Sequence, residues 1–350
     1  MNLYAEDCVK VKNDLYFIAK NINIIYRINI ETSEFEIVDS LYDAPTELLS
    51  AGASILEYDG KLYFPPMSAR WLSYYDLASK EWNTIEIETI DNCYWGRFFN
   101  AVIYYKTIHL IGSHYPAIVS INLETTEIKT SALHLYESLK KNKEMFDDCY
   151  IRKDFAIVGE KLYAASCVSN QVLIYDLKTQ KACLETVGDS YMRFSGIVFD
   201  GENFWLTARR YMEFYRWDVK TSIFETFKIS NIADEDFYVG GVVFDGKNLI
   251  LKGMYNQNSY IVNPFAEDVQ STVKEIYESY VFVKNYGDVD YCMTSDGFLE
   301  EREIEDFGKV IKRIDVNIED SRIFDYVEKK DGILHESQTL SLNAFINNLV

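Results

Sequence analysis

One short signature returns along the whole chain, and it restricts the possible folds more than any bulk property does. It runs from an apolar segment through Asp or Asn, one apolar residue and two or three polar residues, then back to apolar. The clearest copies are Ile28-Asn29-Ile30-Glu31-Thr32-Ser33-Glu34-Phe35, Tyr75-Asp76-Leu77-Ala78-Ser79-Lys80-Glu81-Trp82, Ile121-Asn122-Leu123-Glu124-Thr125-Thr126-Glu127-Ile128, Tyr175-Asp176-Leu177-Lys178-Thr179-Gln180-Lys181-Ala182 and Trp217-Asp218-Val219-Lys220-Thr221-Ser222-Ile223-Phe224. Val262-Asn263-Pro264-Phe265 opens a sixth copy, and Ile304-Glu305-Asp306-Phe307-Gly308 is a weaker seventh. Asp and Asn side chains accept hydrogen bonds from backbone amides just ahead of them, and Ser and Thr do so more weakly. Each copy therefore predicts a hairpin turn between alternating segments such as Gln171-Val172-Leu173-Ile174-Tyr175.

A second hairpin precedes each of these. Asp59-Gly60, Asp200-Gly201 and Asp245-Gly246 each separate two apolar runs, a strong turn signal because Gly tolerates positive φ. Each unit thus supplies four strands. The second strands begin near Leu15, Leu62, Ile108, Leu162, Phe204, Leu249 and Val289, so the spacing is 40–54 residues. That period belongs to the blades of a β-propeller. The expected fold is all-β: a seven-bladed β-propeller of four-stranded blades over residues 1–320, with a six-bladed ring plus an appended sheet as the alternative. Blades are expected near 5–38, 52–88, 97–130, 150–187, 193–229, 238–270 and 277–316. The widest gap holds Ser131–Lys141, where Leu133, Tyr136 and Leu139 share one helical face and predict a short inserted helix. Residues 321–350 predict a C-terminal hairpin and an amphipathic helix, with Leu342, Phe345, Ile346 and Leu349 on one face, packed on the propeller.

Composition narrows the partners. Of 350 residues, 55 are acidic and 35 are Lys or Arg, a net charge of −20, which argues against nucleic-acid and anionic-membrane partners. Aromatic residues make up 15% of the chain, with only five prolines, a mix that suits strands. The six cysteines form no CxxC pair and share no metal-ligand spacing with the four histidines, so no metal or other cofactor is expected. The first residues show neither the basic start nor the apolar run of a secretory signal. A cytoplasmic location with free thiols is the expectation.

Tyr75-Asp76 followed by Trp82, after an apolar second strand, resembles the kelch-like propellers, and the likeness extends weakly over nearly the whole chain. The kelch double glycine is replaced by Pro65-Pro66, Ile111-Gly112, Ala165-Ser166 and Lys252-Gly253. Trp217-Asp218 and Tyr175-Asp176 also resemble the strand ending of WD-repeat propellers, without the Gly-His pair.

In a propeller, the segments leading into the innermost strands and the loops between second and third strands open on one face around the channel. Aligning the innermost strands places Arg97, Arg152 and Arg193 at one position in three consecutive blades, with Tyr238 in a later one. Tyr94 and Trp95 precede Arg97, Tyr150 precedes Arg152, and Tyr191 precedes Arg193. The loops between second and third strands add Arg70, Trp71, His114, Arg209, Arg210 and Tyr255. Guanidinium forks suit carboxylate or phosphate. The leading expectation is a non-catalytic module that binds an anionic small molecule or an acidic peptide or protein segment at the channel mouth. A second is an enzyme acting on an anionic sugar, as in propeller sialidases and epimerases, with Tyr94, Tyr150, Tyr191, Asp148 or Asp189 as acid, base or nucleophile. A third is a protein scaffold working through the blade rim or the C-terminal helix. Against all site readings stands a purely architectural one, in which the arginines pair with recurring Asp residues to close the ring.

Overall fold

The signature hairpins form through the side chains that predict them. Asn29 Oδ1 accepts from the amides of Glu31 and Thr32, Asp76 Oδ1 from Ala78 and Ser79, Asn122 Oδ1 from Glu124 and Thr125, and Asp218 Oδ1 from Lys220 and Thr221. Asp176 and Asn263 cap their turns in the same manner. Four residues beyond the capping side chain the backbone turns left-handed, at Ser33, Lys80, Thr126, Gln180 and Ser222, with φ of 58–62°. None of these is glycine. The capped amides and the flanking ladder hold each turn in a conformation that costs an L-residue about 1 kcal/mol or more.

The structure is a computed structural model that describes residues 5, 7–19, 24–40, 54–67, 70–90, 96–140, 149–209, 211–229, 239–253, 258–276, 280–304 and 309–316. These residues make seven antiparallel sheets, each of four strands in sequential order. They span residues 8–40, 56–86, 98–131, 156–186, 194–228, 239–276 and 280–315, blades 1 to 7. The first strand of each blade lies innermost, and the fourth is the most exposed, as in Glu81–Glu86 and Val310–Asp315. The chain is a seven-bladed β-propeller. The six-bladed alternative is excluded, because the seventh sheet is a full blade in the ring. The predicted hairpin and helix at 321–350, and the turn at 305–308, lie outside the described residues.

Burial explains why the sheets form a ring. A four-stranded blade has two apolar faces and must cover both. Seven apolar clusters do so, one between each pair of neighbours. The last closes blade 7 on blade 1, where Phe17, Tyr26 and Leu15 meet Phe282, Tyr291 and Leu299. Among the described residues no strand is exchanged there; Lys284 Nζ reaches Asp7 Oδ1 at 2.7 Å, and the Tyr286 hydroxyl accepts from Lys10 N at 3.0 Å.

Some interfaces also enclose polar groups. Between blades 3 and 4, His109 Nδ1 meets Ser120 Oγ at 2.8 Å and the Tyr175 hydroxyl at 3.2 Å, and burial pushes the imidazole down to about 4. It is neutral at physiological pH. Between blades 6 and 7, Asp290 is wholly enclosed; Asn285 Nδ2 donates to its Oδ1 at 3.0 Å, while Oδ2 has no hydrogen-bond partner among the described residues. Burial pushes this carboxyl up to about 6; the Asn285 hydrogen bond opposes the shift and the charge of Asp245 adds to it.

The consequence is a pH-dependent weakness. The folded state holds the Asp290 proton more tightly than the unfolded chain does, so stability falls as pH rises from the ordinary carboxylate range through about 6. Asp290→Asn is expected to raise stability at pH 7.5 by about 1–3 kcal/mol and to change little at pH 4.5. Urea midpoints at the two pH values check this. An equal shift at both would reject the ionisation argument.

Candidate functional site

On the face where second strands end, backbone hydrogen bonds lace neighbouring blades together. Arg97 N donates to Met67 O at 2.8 Å, Tyr150 N to Ser113 O at 2.7 Å, and Phe194 N to Ser166 O at 3.0 Å. Within each blade, Ser113 N donates to Arg97 O, Cys167 N to Tyr150 O, and Arg209 N to Arg193 O, all at 2.8–2.9 Å. The contacts within each blade define true equivalence. Arg97, Tyr150 and Arg193 occupy one backbone position, and Arg152 lies two residues farther along than the sequence alignment assumed.

The three arginines accordingly do different things. Arg97 is 1% exposed; its Nη2 donates to Glu88 O at 2.9 Å and its guanidinium lies 4.8 Å from the Tyr115 ring centre. The Tyr115 hydroxyl donates to the same carbonyl, so Arg97 ties the connection from blade 2 into the wall of blade 3. Arg193 turns back on its own loop, where Nη1 donates to the carbonyls of Ser190 and Met192. Arg152 and Arg209 instead share an electrostatic neighbour: the charges of both act on the enclosed Cys149 and Cys167 thiols. Two of the anticipated arginines, from blades 4 and 5, thus bear on one pair of side chains.

The other anticipated residues spread over the same face. Tyr150 is buried and meets Tyr136 edge-on at 5.5 Å. Tyr136 belongs to helix α1 (Leu133–Lys140), the inserted helix, which is anchored between blades 3 and 4 by Tyr136, Leu139 and a hydroxyl bond to Gly112 O. Tyr191 is 53% exposed and stands edge-on to Tyr211 at 6.0 Å. Arg70 is exposed and Trp71 half-buried. His114 Nδ1 donates to Gly96 O at 3.0 Å, and a Cβ on Gly96 would come within 2.3 Å of that nitrogen. With φ at 64°, Gly96 has two reasons to lack a side chain. Tyr94, Trp95, Arg210, Tyr238 and Tyr255 lie outside the described residues, as do Asp148 and the C-terminal helix.

Two ion pairs join blades across the ring among the described residues. Asp7 pairs with Lys284 between blades 1 and 7, and Asp154 pairs with Lys252 between blades 4 and 6, at 3.4 Å. Burial works to raise the Asp7 carboxyl, but Lys284 and Lys153 prevail and hold it below the usual range. No group of three or more His, Cys, Asp or Glu is placed to hold a metal ion among the described residues. No helix among them is long and apolar enough to cross a membrane.

The chain is therefore a seven-bladed propeller whose loop face carries arginines and a close pair of thiols. No known protein-family profile matches it, and no curated protein matches it. Solved structures do match in fold. A catalytically inactive virginiamycin B lyase from Staphylococcus aureus, with quinupristin, is similar at a TM-score of 0.61 and 11% identity, over 84% of this chain and 94% of that one. A chain of the mitotic checkpoint complex gives 0.58 at 11% identity, over 87% and 93%. BamB from Moraxella catarrhalis gives 0.55 at 9% identity, over 90% and 89%. Identities this low show a shared fold and nothing finer.

Proposed function

We propose that this chain is a non-catalytic binding propeller that takes an anionic small molecule, or an acidic peptide or protein segment, on its loop face beside Arg152 and Arg209. The observation that carries this is that the charges of Arg152 and Arg209, from adjacent blades, both bear on the same enclosed thiols. A guanidinium fork suits carboxylate and phosphate oxygens. The half-exposed Tyr191 and Tyr211, near the same loop of blade 5, offer aromatic surface beside it. The overall charge of −20 gives the pair a contrasting surround, which favours an anion at this spot over binding elsewhere. Among the fold neighbours, one is part of an assembly and one is a lyase. The kelch-like assignment rests on Tyr75-Asp76 and Trp82, and nothing in the binding proposal depends on it.

Arg152→Gln combined with Arg209→Gln tests the proposal. Wild type and variant are screened by thermal shift against inorganic phosphate, sugar phosphates, carboxylated sugars and a glutamate-rich peptide, since a ligand of the native state raises stability by mass action. The expected result is at least one stabilising anion whose affinity falls tenfold or more in the variant, with the melting temperature of the free protein nearly unchanged. If no anion stabilises the wild type, or the variant binds equally well, the proposal fails.

A further inference from the structure

Cys149 and Cys167 face each other with their sulfurs 3.6 Å apart, and both are fully enclosed. They sit on two chain segments already joined by backbone contacts: Cys167 N donates to Tyr150 O at 2.8 Å, and Ile151 bridges Ser166. A disulfide needs the sulfurs to close by about 1.5 Å. The two thiols are not chemically alike. Cys149 donates its S–H toward Cys167, and this hydrogen bond together with burial pushes Cys149 well up. Burial also works to raise Cys167, but the Cys149 hydrogen bond and the charges of Arg152 and Arg209 outweigh it and lower that thiol. A proton-bearing partner beside a cation-stabilised sulfur is the arrangement of a nucleophilic cysteine with a resolving one. Cys8 and Cys292 are equally buried, yet burial dominates there and pushes both up.

We propose that Cys149 and Cys167 form a peroxide-responsive pair that closes reversibly to a disulfide. The Cys167 thiolate attacks a hydroperoxide oxygen; a sulfur–oxygen bond forms, the oxygen–oxygen bond breaks, and the departing alkoxide or hydroxide takes up the proton that Cys167 had released. The Cys149 sulfur then attacks Cys167, the sulfur–sulfur bond forms, and the hydroxide leaves with the Cys149 proton as water. Two thiols are oxidised and one peroxide is reduced, giving a disulfide, an alcohol or water, and a second water. Enclosure selects a small oxidant, hydrogen peroxide, over bulky disulfides. The product would tie the segment that leads into blade 4 to the loop after its second strand.

The full-length chain treated with hydrogen peroxide, then unfolded and alkylated, tests this. Non-reducing peptide mapping is expected to show a dithiothreitol-reversible link between positions 149 and 167, with Cys8 and Cys292 alkylated as free thiols. Cys149→Ser is expected to leave a sulfenic acid on Cys167 that dimedone traps, and Arg152→Gln with Arg209→Gln to slow formation of the link at least tenfold at pH 7. Recovery of both cysteines as alkylated thiols after peroxide, or of Cys167 as sulfinic acid with no link, overturns the proposal.

Discussion

Asp154→Ala lowers the stability of the protein by an expected 3–5 kcal/mol, about the loss seen when one partner of a buried ion pair is removed. Asp154 belongs to the stretch leading into blade 4, yet its Oδ2 accepts from Val242 N in blade 6 at 2.9 Å. Its Oδ1 lies 3.4 Å from Lys252 Nζ, with the two side chains only 14% and 12% exposed. The innermost strand of blade 5 leaves room for this reach. A Cβ on its Gly196 would come within 2.9 Å of Asp154 Oδ2, and one on Gly241 of blade 6 within 2.0 Å. The carboxylate thus occupies the space that two adjacent inner strands provide by lacking side chains. Removing it strands an ammonium group and a backbone N–H at the centre of the ring.

Gly241→Ala acts on the same contact from the other side, since its methyl group displaces the carboxylate from Val242 N. Its cost is therefore expected to be large in the wild type and small in an Asp154→Ala background. Urea unfolding of the two single variants and the double variant measures that coupling. Additive losses would sink this account of the ring centre.

Trp205→Ala is expected to cost about 3–5 kcal/mol, the range for truncating a large buried aromatic, and Trp205→Phe about 1–2 kcal/mol through the lost hydrogen bond. Trp205 stands on the second strand of blade 5 and fills the interface with blade 6. Its ring lies 6.0 Å from Phe214 and 5.7 Å from Phe227, with the Arg216 guanidinium 5.7 Å away. Its indole N–H donates to Asp200 Oδ2 at 2.7 Å, while Asp200 Oδ1 accepts from the amides of Glu202 and Asn203 and shapes the first hairpin. One side chain therefore joins a turn to an interface between blades. The gap in urea midpoint between the Phe and Ala variants separates the two roles. Equal losses would assign the effect to the hydrogen bond and refute the burial argument.

The hairpins were legible because their causes are local. A capping Asp or Asn acts within three residues of itself, and each predicted second-strand start falls in or beside an observed second strand, from Asp14–Ala19 to Val289–Thr294. The helix at Leu133–Lys140 was legible for the same reason, since Tyr136 and Leu139 share a face that the blades bury. The arginine register was not. Between α1 and blade 4 the chain leaves the repeat, so counting back from the apolar run aligns Arg152 with Arg97, while the backbone hydrogen bonds align Tyr150. The Asp154 contact has no sequence signal either, because its partners lie 88 and 98 residues away. The cysteine pair, 18 residues apart, matches no motif spacing.

By itself, the sequence determined the repeating unit and its four strands; the tertiary structure decided between six blades and seven. Turn chemistry and two-residue alternation are written in contiguous residues, and a blade with two apolar faces has to be covered by its neighbours. Only the tertiary structure decided which charges meet. Arg97 became part of the wall between blades 2 and 3, the charges of Arg152 and Arg209 came to bear on one pair of thiols, and Asp154 crossed the ring to blade 6. Those outcomes depend on how far each side chain reaches across the ring once the blades have closed, a three-dimensional distance that no local pattern encodes.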